Sequence, residues 1–235
     1  MRPRPLTLFV EGDGDEAALP VLVKRLLKES KGTEVLCVDD CPFRTGGASR
    51  LVTPKAVRDR NWERWLAAAR KRKEFFGVLL VADGDLEKVG DQPFCPGRAA
   101  VELIRRAKDV GAGEVFSAAV VLARQEYESW LIAGVRSLAG RALPSGLTGV
   151  RAGVEPPDGD LELHPRDAKG WLSKSIVNGY KETLHQEPLS AAVDLKQMRD
   201  RKMRSFRRLE TSVEMLLEAA RSGRHIVTPD APAKA

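Results

Sequence analysis

The first apolar run, Leu6 to Val10, is short and stops at a knot of acids, Glu11-Gly12-Asp13-Gly14-Asp15-Glu16. Such a run predicts a buried strand whose end carries side chains to the lip of a sheet. From Glu16 to Lys28 the period becomes helical, with Ala17, Leu19, Leu22, Val23, Leu26 and Leu27 on one side. Glu34 to Val38 reads as a second strand, and a polar, Gly-rich stretch follows from Pro42 to Pro54. Trp62, Trp65, Leu66 and Ala69 then form a helical stripe that runs to Lys73. Phe76 to Ala82 is the third strand, and it too stops at acids, Asp83-Gly84-Asp85. Pro96 stands where a helix can begin, and Ala99 to Val110 continues it. Val115 to Leu122, almost wholly apolar, gives the fourth strand, and Tyr127 to Ala139 the next helix.

Strands apolar on both faces and alternating with helices predict an α/β fold, with a mostly parallel four-stranded sheet flanked by helices. Residues 1–140 form that unit. Between 141 and 164 the composition shifts to Gly, Pro and acids, the mark of a linker or loop. Asp167 to Val177, Leu189 to Arg199 and Phe206 to Arg221 read as helices, so residues 165–227 are expected to make a small helical segment packed on the core. The tail 228–235 has no core-forming residue and is expected to fray.

At 235 residues and 43% hydrophobic, the chain is long enough for one sizeable core. No apolar stretch approaches the roughly 20 residues of a membrane span, and the N-terminus shows no signal-peptide apolar core, so a cytoplasmic protein without a membrane partner is expected. Cys37, Cys41 and Cys95 are odd in number and lack Cys-x-x-Cys spacing, which argues against a disulfide framework or a zinc site. The net charge is +6 despite the acidic clusters, so positive charge collects elsewhere. That balance permits a polyanionic partner without requiring one.

Carboxylates gathered at strand ends repel one another unless a hard, oxygen-seeking cation neutralises them. Gly12 and Gly14 suit a tight turn, and Asp15 or Glu16 can stabilise a helix N-terminus, but neither role explains Glu11. A dinucleotide fingerprint is excluded there, because the third Gly is missing and four acids would repel a pyrophosphate. Asp83 and Asp85 project to one side of an extended segment and could chelate one metal or bridge two; an Asp-Gly turn is the plainer alternative. Glu126 and Glu128 either belong to the first turn of a helix or complete a metal shell. Lys196, Arg199, Arg201, Lys202, Arg204, Arg207 and Arg208 crowd together with only Asp200 opposing, as a solvated helix face or as a phosphate-binding surface. Lys169, Lys174 and Lys181 form a second basic stretch with Tyr180. His164, His185 and His225 lack ligand spacing, and neither a Gly-x-Ser-x-Gly elbow nor a Cys/His arrangement occurs.

Glu11-Gly12 followed by Asp15, and then Asp83-Gly84-Asp85, resembles the Toprim domain shared by topoisomerases, bacterial primases and overcoming-lysogenization-defect (OLD) nucleases. Glu126-Tyr127-Glu128-Ser129-Trp130-Leu131, Tyr180-Lys181-Glu182-Thr183 and Ser205-Phe206 resemble a bacterial Toprim-like family of unknown function, related to the OLD nuclease domain and often found beside an ATPase. The resemblance implies Glu11 as metal ligand or general base, Asp83 and Asp85 as ligands, and Glu126 and Glu128 as further acidic members. Asp15 stands where relatives commonly carry Glu, so its shorter carboxylate would reach a metal through water. Mg²⁺ or Mn²⁺ would activate water and stabilise charge on the scissile phosphate. The implied activity is a metal-dependent nuclease acting on DNA or RNA, in phage or plasmid defence with an ATPase partner. A topoisomerase would need a separate domain with a nucleophilic tyrosine, and only Tyr127 and Tyr180 are present. The alternative class is a non-catalytic sensor or regulatory subunit of an ATPase complex. Asp39-Asp40 prompts a receiver-like phosphoacceptor, which is disfavoured because a receiver's acidic pair follows the first strand.

Overall fold

A computed structural model describes residues 2–230. β1 (Arg4–Val10) leads into α1 (Asp13–Glu29) and then β2 (Leu36–Val38) and β3 (Phe43–Arg44). Three short helices follow, α2 (Ser49–Val52), α3 (Pro54–Arg58) and α4 (Asn61–Ala69), before β4 (Gly77–Asp83). A hairpin of β5 (Lys88–Val89) and β6 (Gln92–Pro93) precedes α5 (Pro96–Lys108), β7 (Ser117–Ala123) and α6 (Glu128–Ala133). The remainder is helical, with α7 (Ala168–Ser175), α8 (Glu182–Ala192), α9 (Leu195–Asp200) and α10 (Arg204–Ser222), and ends in β8 (Val227–Thr228).

The central sheet has six strands in the order β2-β1-β4-β7-β8, with β3 also paired to β1, and every pairing is parallel. β2 pairs with Arg4 to Leu6 and β3 with Phe9 and Val10, so the two short strands share one edge of β1. The fold is therefore α/β with a mostly parallel sheet flanked by helices. Strand alternation divides the core. Leu6, Leu8, Leu79, Val81, Ala119 and Val121 face one side, packed with α1 and α10 through Leu22, Leu26, Val213 and Leu216. Phe9, Val78, Leu80, Val120 and Leu122 face the other, against Trp62, Leu66, Leu103 and Ile104 of α4 and α5.

Four strands were expected in the sheet, and six are found there among the described residues. β3 and β8 are two residues each, too short for alternation to register. Thr228, the expected start of a frayed tail, pairs with Ala119 and is buried; residues 231–235 lie outside the described residues. The helix expected from Tyr127 to Ala139 stops at Ala133 and gives way to a 3₁₀ turn at Val135–Ser137. That expected from Leu189 to Arg199 is two helices, because Asp194 accepts from the Lys196 amide (2.7 Å) and caps α9. Stretch 141–164 is irregular, yet Leu143, Val150 and Leu161 are buried in the same cluster as α1 and the sheet.

A candidate acidic site at the C-terminal edge of the sheet

Because all strands of the sheet run parallel, their C-terminal ends share one edge, where open α/β folds place ligands. Glu11 follows β1, Asp83 ends β4 and Glu126 lies three residues beyond β7. β1, β4 and β7 are adjacent, so three acidic clusters far apart in sequence meet in space. Glu11 Oε2 accepts from the Asp83 amide (3.1 Å), and Asp83 Oδ1 accepts from the Tyr127 amide (2.9 Å). These bonds tie the three strand ends together directly.

Asp15 enters from α1. Its Oδ2 accepts from the Gly12 amide (3.3 Å) from the N3 position of α1, and its Oδ1 accepts from Gln186 Nε2 of α8 (2.6 Å). Gly12 is extended and Gly14 is helical, so neither provides the unusual backbone expected of a tight turn. Gly14 is needed for proximity instead: a Cβ there would sit 2.0 Å from Gln186 Oε1 and 2.9 Å from the Glu182 Cβ. Asp13 and Glu16 stay outside the cluster, both paired with Arg44. Asp39, of the Asp39-Asp40 pair, is held by Arg72 (2.6 Å).

Glu126 and Glu128 part ways. Glu126 Oε2 accepts from the amides of Ala168 (2.8 Å) and Lys169 (3.3 Å), so it serves the first turn of α7 rather than its own helix. Glu128 opens α6 with 1% exposure; its Oε1 accepts from the Tyr180 hydroxyl (2.9 Å), and its Oε2 has no hydrogen-bond partner.

Among the described residues, one cation stands among these acids. Lys169 Nζ lies 3.0 Å from Glu182 Oε1 and 3.9 Å from both Asp83 Oδ2 and Glu126 Oε1. A pocket of about 470 Å³ beside it is lined by Lys169, Ser173, Tyr180, Lys181 and Glu182. A single ammonium does not balance the cluster. Burial raises the pKa of Glu11, and Asp15 and Asp85 add to the rise. Burial likewise raises Asp15 and Glu126. Asp83 lies well above its usual range, first through burial and then through Glu128, Asp15 and Glu11. Glu128 is pushed up to about 8, chiefly by burial. Burial alone would lower Lys169, but Glu128, Asp83 and Glu182 overcome this and raise it.

Among the described residues, no three His, Cys, Asp or Glu side chains stand together as a formed metal shell. The donor chemistry nevertheless fits a hard divalent cation. All donors are carboxylate oxygens, Glu11 and Asp83 each use only one oxygen in the hydrogen bonds above, and Glu128 Oε2 is buried without a partner. Lys169, Gln186 and Glu182 were not singled out as site members by spacing. Lys169 was visible only as part of a basic stretch, because its place beside Asp83 depends on α7 packing over α6.

The basic run is dispersed. Arg199 is bonded to Glu29 and Glu210, Arg201 to the carbonyls of Pro157 and Gly159, and Arg208 to the Thr228 hydroxyl. Lys196, Lys202, Arg204 and Arg207 are exposed. Glu29, beside Arg199, closes α1 about 24 Å from its acidic end at 1.5 Å per residue.

Fold and site together define an α/β protein with a carboxylate cluster at the C-terminal edge of a parallel sheet. The chain belongs to the family described as "Domain of unknown function (DUF4276)", whose profile matches residues 10–214. No curated protein matches the chain. Among solved structures, the C-terminal region of the Burkholderia pseudomallei OLD protein aligns at 15% identity and a TM-score of 0.42, covering 94% of this chain and 100% of that one. No helix among the described residues is long and apolar enough to cross a membrane.

Proposed function

We propose that this chain is a metal-dependent phosphodiesterase of the nuclease type, acting on DNA or RNA. The observation that carries the reading is the convergence of Glu11, Asp83 and Glu126 from three adjacent strand ends, with only Lys169 among the described residues to balance them. Mg²⁺ or Mn²⁺ would be held by Glu11, Asp83 and Asp85, with Asp15, Glu126 and Glu128 around them. When bound, such an ion lowers the pKa of water and neutralises charge on a phosphoryl oxygen. Glu11 serves either as a ligand or as the group that takes a proton, and in the metal-free protein burial raises its pKa. Lys169, held by Glu182, supplies a fixed positive charge at the lip of the site.

The test is cleavage of supercoiled DNA, linear DNA and RNA in EDTA, Mg²⁺ and Mn²⁺. Activity is expected only with metal, and Asp83→Asn with Asp85→Asn should abolish it while the circular dichroism spectrum stays unchanged. Full activity in that double variant overturns the reading. The Lys169 contacts favour one other reading, a non-catalytic regulatory subunit in which the ammonium acts as the resident counter-ion. Calorimetric titration with Mn²⁺ separates them: carboxylate-dependent binding is expected of the enzyme and none of the regulatory subunit. An ATPase partner and a role in phage or plasmid defence rest on the family resemblance alone.

A further inference from the structure

Residues 49–73 hold nine Lys or Arg against Asp59 and Glu63, more net positive charge than the whole chain carries. Glu63 contributes nothing to the surface, being buried in a bidentate pair with Arg106 (2.9 and 2.6 Å). α2, α3 and α4 wall a groove of about 820 Å³ here, lined by Arg50, Lys55, Asn61, Arg64, Trp65 and one carboxylate, Asp59, which lies 3.9 Å from Arg58. Arg50, Lys55 and Arg64 are exposed, and no carboxylate among the described residues is within ion-pair distance of them. Trp62 is fully buried with its Nε1 donating to the Leu103 carbonyl (3.0 Å), whereas Trp65 is half-buried and forms the aromatic part of the wall.

The start of α2 adjoins Glu11. The Gly46 amide donates to the Glu11 carbonyl (3.0 Å), and a Cβ at Gly47 would lie 3.0 Å from Glu11 Oε1. The Arg50 amide donates to the Gly47 carbonyl (3.1 Å), so the first basic residue of the groove stands one turn from the Glu11 carboxylate. Cationic side chains in file with an aromatic face match the requirements of an unpaired nucleic-acid strand, phosphates on the cations and a base on the ring. The C-terminal basic run fits less well, since Arg199, Arg201 and Arg208 are committed to internal partners.

We infer that the α2–α4 groove holds the sugar–phosphate backbone of a single strand, with a base against Trp65, and leads it to Glu11. This deepens the phosphodiesterase reading and rests on it. The test is fluorescence anisotropy in EDTA with labelled single-stranded DNA, single-stranded RNA and duplex DNA over a range of salt. In R50A/K55A/R64A the slope of log affinity against log salt should fall by roughly 2 for single strands, at about 0.7 per phosphate contact. Trp65→Ala should weaken single-strand binding roughly 5- to 150-fold and duplex binding less. K196A/K202A/R207A should match the wild type. DNA and RNA arms that differ identify the sugar preferred. Arg64→Gln alone, at an exposed position, gives a smaller fall in slope should the triple variant misfold. Wild-type slope and affinity in the groove variants, or no binding by the wild type, overturns the inference. A wild type that binds in EDTA but cleaves nothing with Mn²⁺ overturns the phosphodiesterase reading instead.

Discussion

Glu128→Gln probes the charge state of the buried cluster. The carboxyl is 1% exposed, and burial raises its pKa from the ordinary 4.5 to about 8. A carboxyl whose folded pKa exceeds its unfolded one binds its proton more tightly when folded. Stability therefore falls as pH rises from about 4.5 towards about 8. At 1.36 kcal/mol per unit, the complete shift amounts to about 5 kcal/mol, of which about 3 kcal/mol is felt at pH 7 and about 1 kcal/mol at pH 5. Glutamine keeps an oxygen to accept from the Tyr180 hydroxyl, and its NH₂ stands where the neutral acid already leaves an atom unpartnered. In metal-free buffer, Glu128→Gln should thus be more stable than the wild type by about 3 kcal/mol at pH 7, but by only about 1 kcal/mol at pH 5. Urea unfolding followed by tryptophan fluorescence measures both gaps. A variant less stable at both pH values, or a gap that does not widen between them, refutes the assignment of a burial-raised carboxyl.

Arg106→Met should cost about 3–5 kcal/mol, because it leaves the Glu63 carboxylate buried and unpaired between α4 and α5. Adding Glu63→Met should restore most of that loss; thermal melts of the single and double variants decide, and a double variant as unstable as the single contradicts the account. Gly14→Ala should destabilise by about 1–3 kcal/mol, since the new methyl meets Gln186 and Glu182 of α8. Its unfolding midpoint measures this, and an unchanged midpoint would show that α8 yields without strain.

The sequence by itself located β1, α1, β4, α5 and β7, because the strands are continuous apolar runs and the helices are long enough for a period of 3.6 to repeat. The ends of the apolar runs exposed Glu11, Asp83 and Glu126. Their adjacency could not be read along the chain, for it depends on the strand order β2-β1-β4-β7, a property of sheet pairing. Spacing also left open what Glu126 and Glu128 do: packing of α7 gave Glu126 two amides to accept from, and burial under Tyr180 left Glu128 half satisfied. Lys169 was visible only as part of a basic stretch, since two of the carboxylates around it, Glu126 and Asp83, come from elements 43 and more residues away. Basic density likewise cannot distinguish an arginine spent on Glu29 from one free in a groove. Periodicity reports which face of an element is buried, and that is local; which charges end up facing one another is set by how the elements pack.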